Sequence, residues 1–126
     1  MVSKNCYCGS DKTFDLCCNL YISGKEKAPT ALALMKSRYS AYAIHQADYL
    51  LATTNSTERK HYSTEEILKW ATANHWQKLE IISVTETTVE FKAYFKDENN
   101  VNQVHYEFSN FKKENDSWFY VDGKFQ

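Results

Sequence analysis

The placement of sulfur constrains this chain more than any other feature. All four cysteines lie near the start, as Cys6-x-Cys8, an eight-residue gap, then Cys17-Cys18. Four thiolates complete the tetrahedral coordination of one Zn²⁺, at about 2.3 Å each. Cys8-Gly9-Ser10 supplies a tight turn in which Gly tolerates backbone angles that L-residues avoid, so Cys6 and Cys8 can face one ion. The gap gives the chain enough length to fold back with the second pair. A cation held by four sulfurs keeps no position for water, so its role is structural and not hydrolytic. Such a site can contribute ~10–16 kcal/mol of folding free energy at neutral pH.

Competing readings of the cluster are weaker. Disulfides need an oxidising compartment, and adjacent Cys17 and Cys18 bridge only under strain. A redox pair normally keeps two residues between its cysteines. An iron–sulfur cluster also uses four cysteines, and counting does not separate it from zinc. The expectation is a structural zinc ion on Cys6, Cys8, Cys17 and Cys18.

The remainder is long enough for one self-sufficient core, since the chain has 126 residues. Net charge is −1 with no Lys/Arg block, so a nucleic-acid surface is not expected. No apolar run reaches the roughly 18 residues needed to span a membrane. The longest candidate, Ala31 to Leu51, is broken by Lys36, Arg38, His45 and Asp48. The first residues carry no apolar stretch of signal-peptide length, and the cytoplasm, where thiols stay reduced, is the expected location.

Hydrophobic periodicity divides the chain into three zones. Residues 1–27 form the expected knuckle and residues 28–126 the expected body, with Pro29 suited to a first helical turn. Ala31, Leu34, Met35, Arg38 and Tyr42 recur at helical spacing, and a kink is expected near His45 before Tyr49, Leu50 and Leu51. Ser63-Thr-Glu-Glu66 matches a capping box and opens a helix predicted to run to about Gln77, with Ile67, Trp70, Ala71 and Asn74 inward. Leu79–Thr85 and the alternation of Val89, Phe91, Ala93 and Phe95 then read as strands. Turns at Asp97–Asn100 and Asn115-Asp116 make an antiparallel meander. Helices followed by strands give an α+β fold, with helices on one face of a curved sheet. Neither alternating set of the last two strands is cleanly polar, so both faces are expected to be covered. The knuckle, a partner or a second copy are the candidates for the face the helices leave.

Cys6-Tyr-Cys-Gly-Ser10 through Cys17-Cys18 resembles the SEC-C motif, the zinc knuckle also found at the C-terminus of the SecA translocation ATPase. Tyr21-Ile-Ser-Gly24, Ala28-Pro29, Leu34-Met-Lys-Ser-Arg-Tyr-Ser-Ala-Tyr42, Asp48-Tyr-Leu50 and Trp118-Phe-Tyr-Val-Asp-Gly123 extend the likeness. Together they resemble the YchJ-like family of uncharacterised bacterial proteins, over nearly the whole chain. The resemblance implies a nuclear transport factor two-like fold, a cone of helices against a strongly curved antiparallel sheet, preceded by the knuckle. Some relatives carry a second SEC-C motif near the C-terminus; no cysteine follows Cys18 here. No established activity comes with the family.

Beyond the cysteines, Arg38 sits among core-phase residues and needs a partner, for which Glu107, Asp48 and Asp122 are the candidates. The bland reading is a helix-to-sheet ion pair, and the functional one an anionic ligand in a pocket. His105 and Glu107, two apart on a strand, can act as a base and its orienting carboxylate, although such pairs also serve packing alone. Tyr39, Tyr42 and Trp118 belong to an aromatic set that forms either core or cavity wall. These six residues are the pocket candidates. His45, His61 and His75 show no ligand spacing and are assigned to the surface. No triad order, phosphate loop or paired acidic metal ligands occur, so no catalytic residue is assigned and an enzyme is less expected than a binding protein.

Two functions follow as expectations. In the first, the knuckle is a rigid protein-binding or adaptor surface; by motif similarity with SecA its partner is a chaperone or the ribosome. In the second, the cone encloses a small-molecule or catalytic site. A filled cone would end that reading, and an open, polar-floored cavity of a few hundred Å³ would favour it. A homodimer through the sheet is a further expectation.

Overall fold

Helices precede strands along the chain, as the periodicities require. The structure, a computed structural model, describes residues 5–125. A single 3-10 turn over Phe14–Leu16 leads to α1 (Asn19–Ile22), α2 (Ala31–Ala43), α3 (Ala47–Ala52), α4 (Ser56–Arg59) and α5 (Thr64–Ala73). Then come β1 (His75–Val84), β2 (Thr88–Lys96), β3 (Asn102–Glu114) and β4 (Ser117–Phe125).

The strands pair antiparallel in sequence order, β1-β2-β3-β4. The turns follow the side chains placed in them. Asn115 and Asp116 have φ of 50° and 69°, a two-residue loop with both residues left-handed, whose twist matches that of paired strands. Asp97 Oδ1 accepts from the Asn99 and Val101 amides at 2.9 and 3.0 Å, an Asx turn. Irregular register in β1 (Trp76/Lys78 and Ile81/Ser83) and between β3 and β4 at Asn110/Phe111 bends the sheet, as bulges do. Val89, Phe91, Ala93 and Phe95 alternate into the core as the pattern demanded.

The concave face is covered by α2, which packs against β1, β2 and β4. Leu34, Met35 and Tyr39 meet Val89, Phe91, Phe111 and Trp118 there. The helical periodicity understates this helix, because its other side is buried too. Ser37 and Ser40 are fully buried, and Ser37 Oγ donates to the Leu34 carbonyl at 2.8 Å and hydrogen-bonds Tyr49 OH at 2.7 Å. Ala41, Ala47, Leu50 and Ile67 form a second cluster that joins α2 to α3 and α5, with Ile22 of α1 against it. The expected kink is a helix stop at His45, with φ of 64°. There the Gln46 amide reaches back to the Ala41 carbonyl at 2.8 Å, a left-handed C-terminal cap.

One expectation is corrected. The capping box holds, with Ser63 Oγ accepting from the Glu66 amide at 3.1 Å, but α5 stops at Ala73 and not near Gln77. Asn74 is extended, and its Nδ2 donates to the Trp70 carbonyl at 2.8 Å while Trp76 Nε1 donates to that of Ala71 at 3.3 Å. Two side chains thus satisfy the last turn with no Gly or Pro to announce it. Among the described residues, the convex face of the sheet is left open, which leaves a partner or a second copy as its expected cover. Val104 on the convex face is 51% exposed, and the knuckle packs on the helical side through Ile22.

These placements predict opposite outcomes for two truncations. Leu50→Ala, at a site with no exposure, is expected to cost about 2–5 kcal/mol in urea unfolding. Val104→Ala should stay within about 0.5 kcal/mol. A comparable loss at Val104 would mean that another surface, such as a second copy, covers the convex face.

Candidate functional site

The N-terminal segment has few apolar residues and folds by turns. The Cys6 amide donates to the Lys12 carbonyl at 2.8 Å and the Gly9 amide to that of Cys6 at 3.1 Å, with Gly9 at φ 94°. This loop turns Cys6 and Cys8 to one side. The 3-10 turn and α1 then deliver Cys17 and Cys18 to the same side. All four Sγ atoms lie within 4.8 Å of one another. A tetrahedron with 2.3 Å metal–sulfur bonds has edges of about 3.8 Å, and Cys8 Sγ and Cys17 Sγ are 3.7 Å apart. That separation is far beyond a disulfide bond of about 2.05 Å, and all four cysteines are free.

Charge gives the same answer as distance. Without a cation the thiols cannot all ionise together. Hydrogen bonds from Cys18 and Cys8 hold the Cys6 thiol far below its ordinary value, while the Cys18 proton, bonded to Cys6, is held on. A dication satisfies all four sulfurs at once and releases those protons. Two hydroxyls complete the surroundings: Ser10 Oγ donates to Cys17 Sγ at 3.2 Å, and Ser40 Oγ of α2 lies 3.6 Å from Cys6 Sγ. Cys6, Cys8 and Cys18 are buried against Phe14 and Ile22. The cluster fits a closed metal centre built into the side of α2.

On the other side of α2 the cone is open. Its cavity of about 230 Å³ is walled by aromatic side chains, including Tyr39, Tyr42, Trp76 and Phe91, with Tyr62, Trp70 and Phe125 at the exposed rim. The floor is polar. Glu107, 6% exposed, accepts from His105 Nε2 at 2.9 Å, Ser109 Oγ at 2.5 Å and Tyr120 OH at 2.8 Å. Burial pushes the Glu107 carboxyl up, but the three donors outweigh it and hold the group below the ordinary carboxylate value. Burial and the adjacent carboxylate together push the Tyr120 phenol well above its usual value. The His105 ring lies between Phe91 and Phe125, at centroid distances of 6.2 and 5.2 Å.

Of the six pocket candidates, Arg38, Tyr39, Tyr42, His105 and Glu107 line this cavity. Trp118 does not. It is buried at the far end of the core, where its Nε1 donates to the Pro29 carbonyl at 3.3 Å. The carboxylate partner expected for Arg38 is also absent among the described residues. Asp48 and Asp122 are exposed, and Glu107 is reached only through Tyr120. Arg38 Nη1 donates instead to the Leu50 carbonyl at 2.8 Å and to Thr53 Oγ1 at 2.7 Å, and its Cζ lies 4.6 Å from the Tyr120 ring centroid. Sequence reasoning left Tyr120 among the aromatics, yet it is the hub. Its amide donates to the Thr53 carbonyl and its carbonyl accepts from Asn55, at 2.8 and 2.7 Å. Gly123 was quoted only as part of a motif. A Cβ there would sit 2.1 Å from Glu107 Oε2, so glycine makes the room that the carboxylate occupies. Ser40, Ser109 and Thr54 carried no readable signal.

Known proteins resemble this chain in sequence and fold. Residues 30–123 match the family model described as "YchJ, middle NTF2-like domain". A UPF0225 protein of Geobacter sulfurreducens is 34% identical over 94% of this chain and 77% of its own length. One from Enterobacter sp. (strain 638) is 36% identical over 97% and 84%. The solution structure of a SEC-C motif containing protein from Rhodopseudomonas palustris superimposes with a TM-score of 0.88 at 34% identity, covering 96% of this chain and 98% of that one. The crystal structure of a SEC-C motif containing protein from Psychrobacter arcticus gives 0.79 at 30% identity, covering 94% and 81%.

The floor can be tested by stability. Gly123→Ala should cost about 1–3 kcal/mol by displacing the Glu107 carboxylate from its donors. Because the folded carboxyl keeps its charge to lower pH than the unfolded one, its contribution is full above the ordinary value of 4.5 and is lost as pH falls below it. Urea melts at stepped pH should show a larger acid-side loss in the native chain than in Glu107→Gln.

Proposed function

The chain belongs to the YchJ-like family of bacterial SEC-C motif proteins with a nuclear transport factor two-like domain, and from that premise we propose that it is a zinc-stabilised small-molecule-binding protein. Cys6, Cys8, Cys17 and Cys18 hold Zn²⁺ as a structural ion, which shapes the knuckle and carries out no reaction. The cone cavity is the functional centre. The observation that carries this reading is the buried Glu107 carboxylate at the floor of an open, aromatic-walled cavity. A charge in that position is costly to desolvate, and a scaffold that needed only packing has no use for both the charge and the void. His105, oriented by Glu107, adds an imidazole to the lining.

Metal analysis of the purified, reduced protein is expected to give about one zinc ion per chain, with the content falling in Cys17→Ser and the unfolding temperature falling on chelation. Iron with labile sulfide would replace zinc by a cluster, and metal-free protein would end the assignment. For the cavity, ligand-observed NMR with a panel of monocyclic compounds should find saturable binders that Ala93→Leu, which fills the cavity wall, excludes. Binding that persists in Ala93→Leu, or a panel with no binder, defeats the reading.

A second reading is favoured by Tyr7 and Leu16, which are 48% and 66% exposed on the knuckle. These side chains suit the adaptor role, in which the knuckle presents a rigid apolar patch to a protein partner. Tyr7→Ser with Leu16→Ser leaves every cysteine in place. A partner retained equally by this variant and the native chain counts against the knuckle as its docking surface.

A further inference from the structure

Every hydrogen bond that Arg38 donates among the described residues leaves from Nη1, to Leu50, Thr53 and, at 3.5 Å, Thr54 Oγ1. Nε and Nη2 donate to none of them, although the residue is only 9% exposed. No sealed side-chain nitrogen or oxygen among the described residues lacks a partner. These two atoms therefore face open volume, and the open volume that Arg38 lines is the cone cavity. Nε and Nη2 form one edge of the guanidinium fork, whose parallel N–H bonds match the two oxygens of a carboxylate. The acceptors on Nη1 and the stacking on Tyr120 hold that edge in one orientation. A buried cation without a direct counter-charge is costly, and an arriving anion supplies it.

The rest of the cavity narrows the class of anion. A volume of about 230 Å³ equals roughly eight water molecules at ~30 Å³ each, room for one six-membered ring with a short substituent. Tyr42, Trp76 and Phe91 offer aromatic surface to such a ring. Among the described residues of the lining, Arg38 is the one guanidinium, Glu107 the one carboxylate and His105 the one imidazole. The oxygens of Glu107 already take three donors, which turns much of its charge away from an incoming group. One guanidinium near one carboxylate suits a monoanion; a phosphate dianion would face Glu107 with a single cation to hold it. Resting on the reading of the cone as a ligand site, we infer that Arg38 anchors a small monocyclic aromatic carboxylate.

Trp70 and Trp76 line the cavity and Trp118 does not, so intrinsic fluorescence reports occupancy. Titrations of the zinc-loaded full chain with benzoate and with benzyl alcohol are expected to favour benzoate by about tenfold or more, the worth of a charged hydrogen-bonded pair. Arg38→Met should weaken benzoate and bring the two within about twofold. In the native protein, the Arg38 Nε–H resonance should move with benzoate and not with the alcohol, a readout independent of whether the variant folds. Benzyl alcohol binding as well as benzoate overturns the inference while the cone reading survives. Benzoate preference persisting in folded Arg38→Met removes Arg38 as the anchor. If neither compound binds, the inference falls together with the monocyclic ligand class proposed for the cone.

Discussion

Ser40 and Arg38 stand two positions apart on α2, about 200° around the helix at 100° per residue, and the chain depends on both directions being filled. One side meets Cys6 at the cysteine cluster; the other meets the 53–54 loop and the Tyr120 ring at the cavity. A helix buried all round needs small residues where backbones approach and a partner for every polar atom. Ser37, Ser40 and Ala41 meet the first need. The hydroxyl bonds to the Leu34 carbonyl, Tyr49 and Cys6 supply the second for the buried serines. Anything that fixes the cysteine cluster consequently fixes the helix that carries Arg38, Tyr39 and Tyr42 into the cone. The knuckle is less an appendage than the outer support of the cavity wall.

Tyr120 plays the corresponding part on the sheet. Its backbone clamps the loop that follows α3, its ring carries the Arg38 guanidinium, and its hydroxyl donates to Glu107. Cation and carboxylate are thus coupled through a neutral ring, not by contact. Direct pairing would have consumed the donor edge of Arg38 and neutralised both groups. Separation costs desolvation but leaves one edge of the cation open to the cavity.

Much of the site was readable because local spacing dictates it. Two cysteines flanking one residue before a glycine turn, and an adjacent pair after a gap long enough to return, have few ways to satisfy four thiols. His105 and Glu107 share a face because strand side chains alternate, and they do touch. The partner of Arg38 was not readable. Charge complementarity pointed to a carboxylate, but the Leu50 carbonyl and the hydroxyl of Thr53 reached the guanidinium first, and no sequence pattern encodes that. Trp118 joins the core yet lies at the wrong end of the cone, since alternation gives the side of a sheet and not the depth along it.

The sequence by itself determined the order of elements, the alternation of β2, the left-handed turn at Asn115-Asp116, the N-terminal cap at Ser63 and the gathering of sulfur near the start. Each of these is decided by residues within a few positions of one another, through backbone preference or side-chain period. Only the tertiary structure decided that α5 ends at Ala73, that Ser40 faces a cysteine, that Gly123 makes room for a carboxylate and that the cone keeps a void. Those outcomes depend on which distant surfaces meet and on the volume left where they do not, and no local pattern carries either quantity.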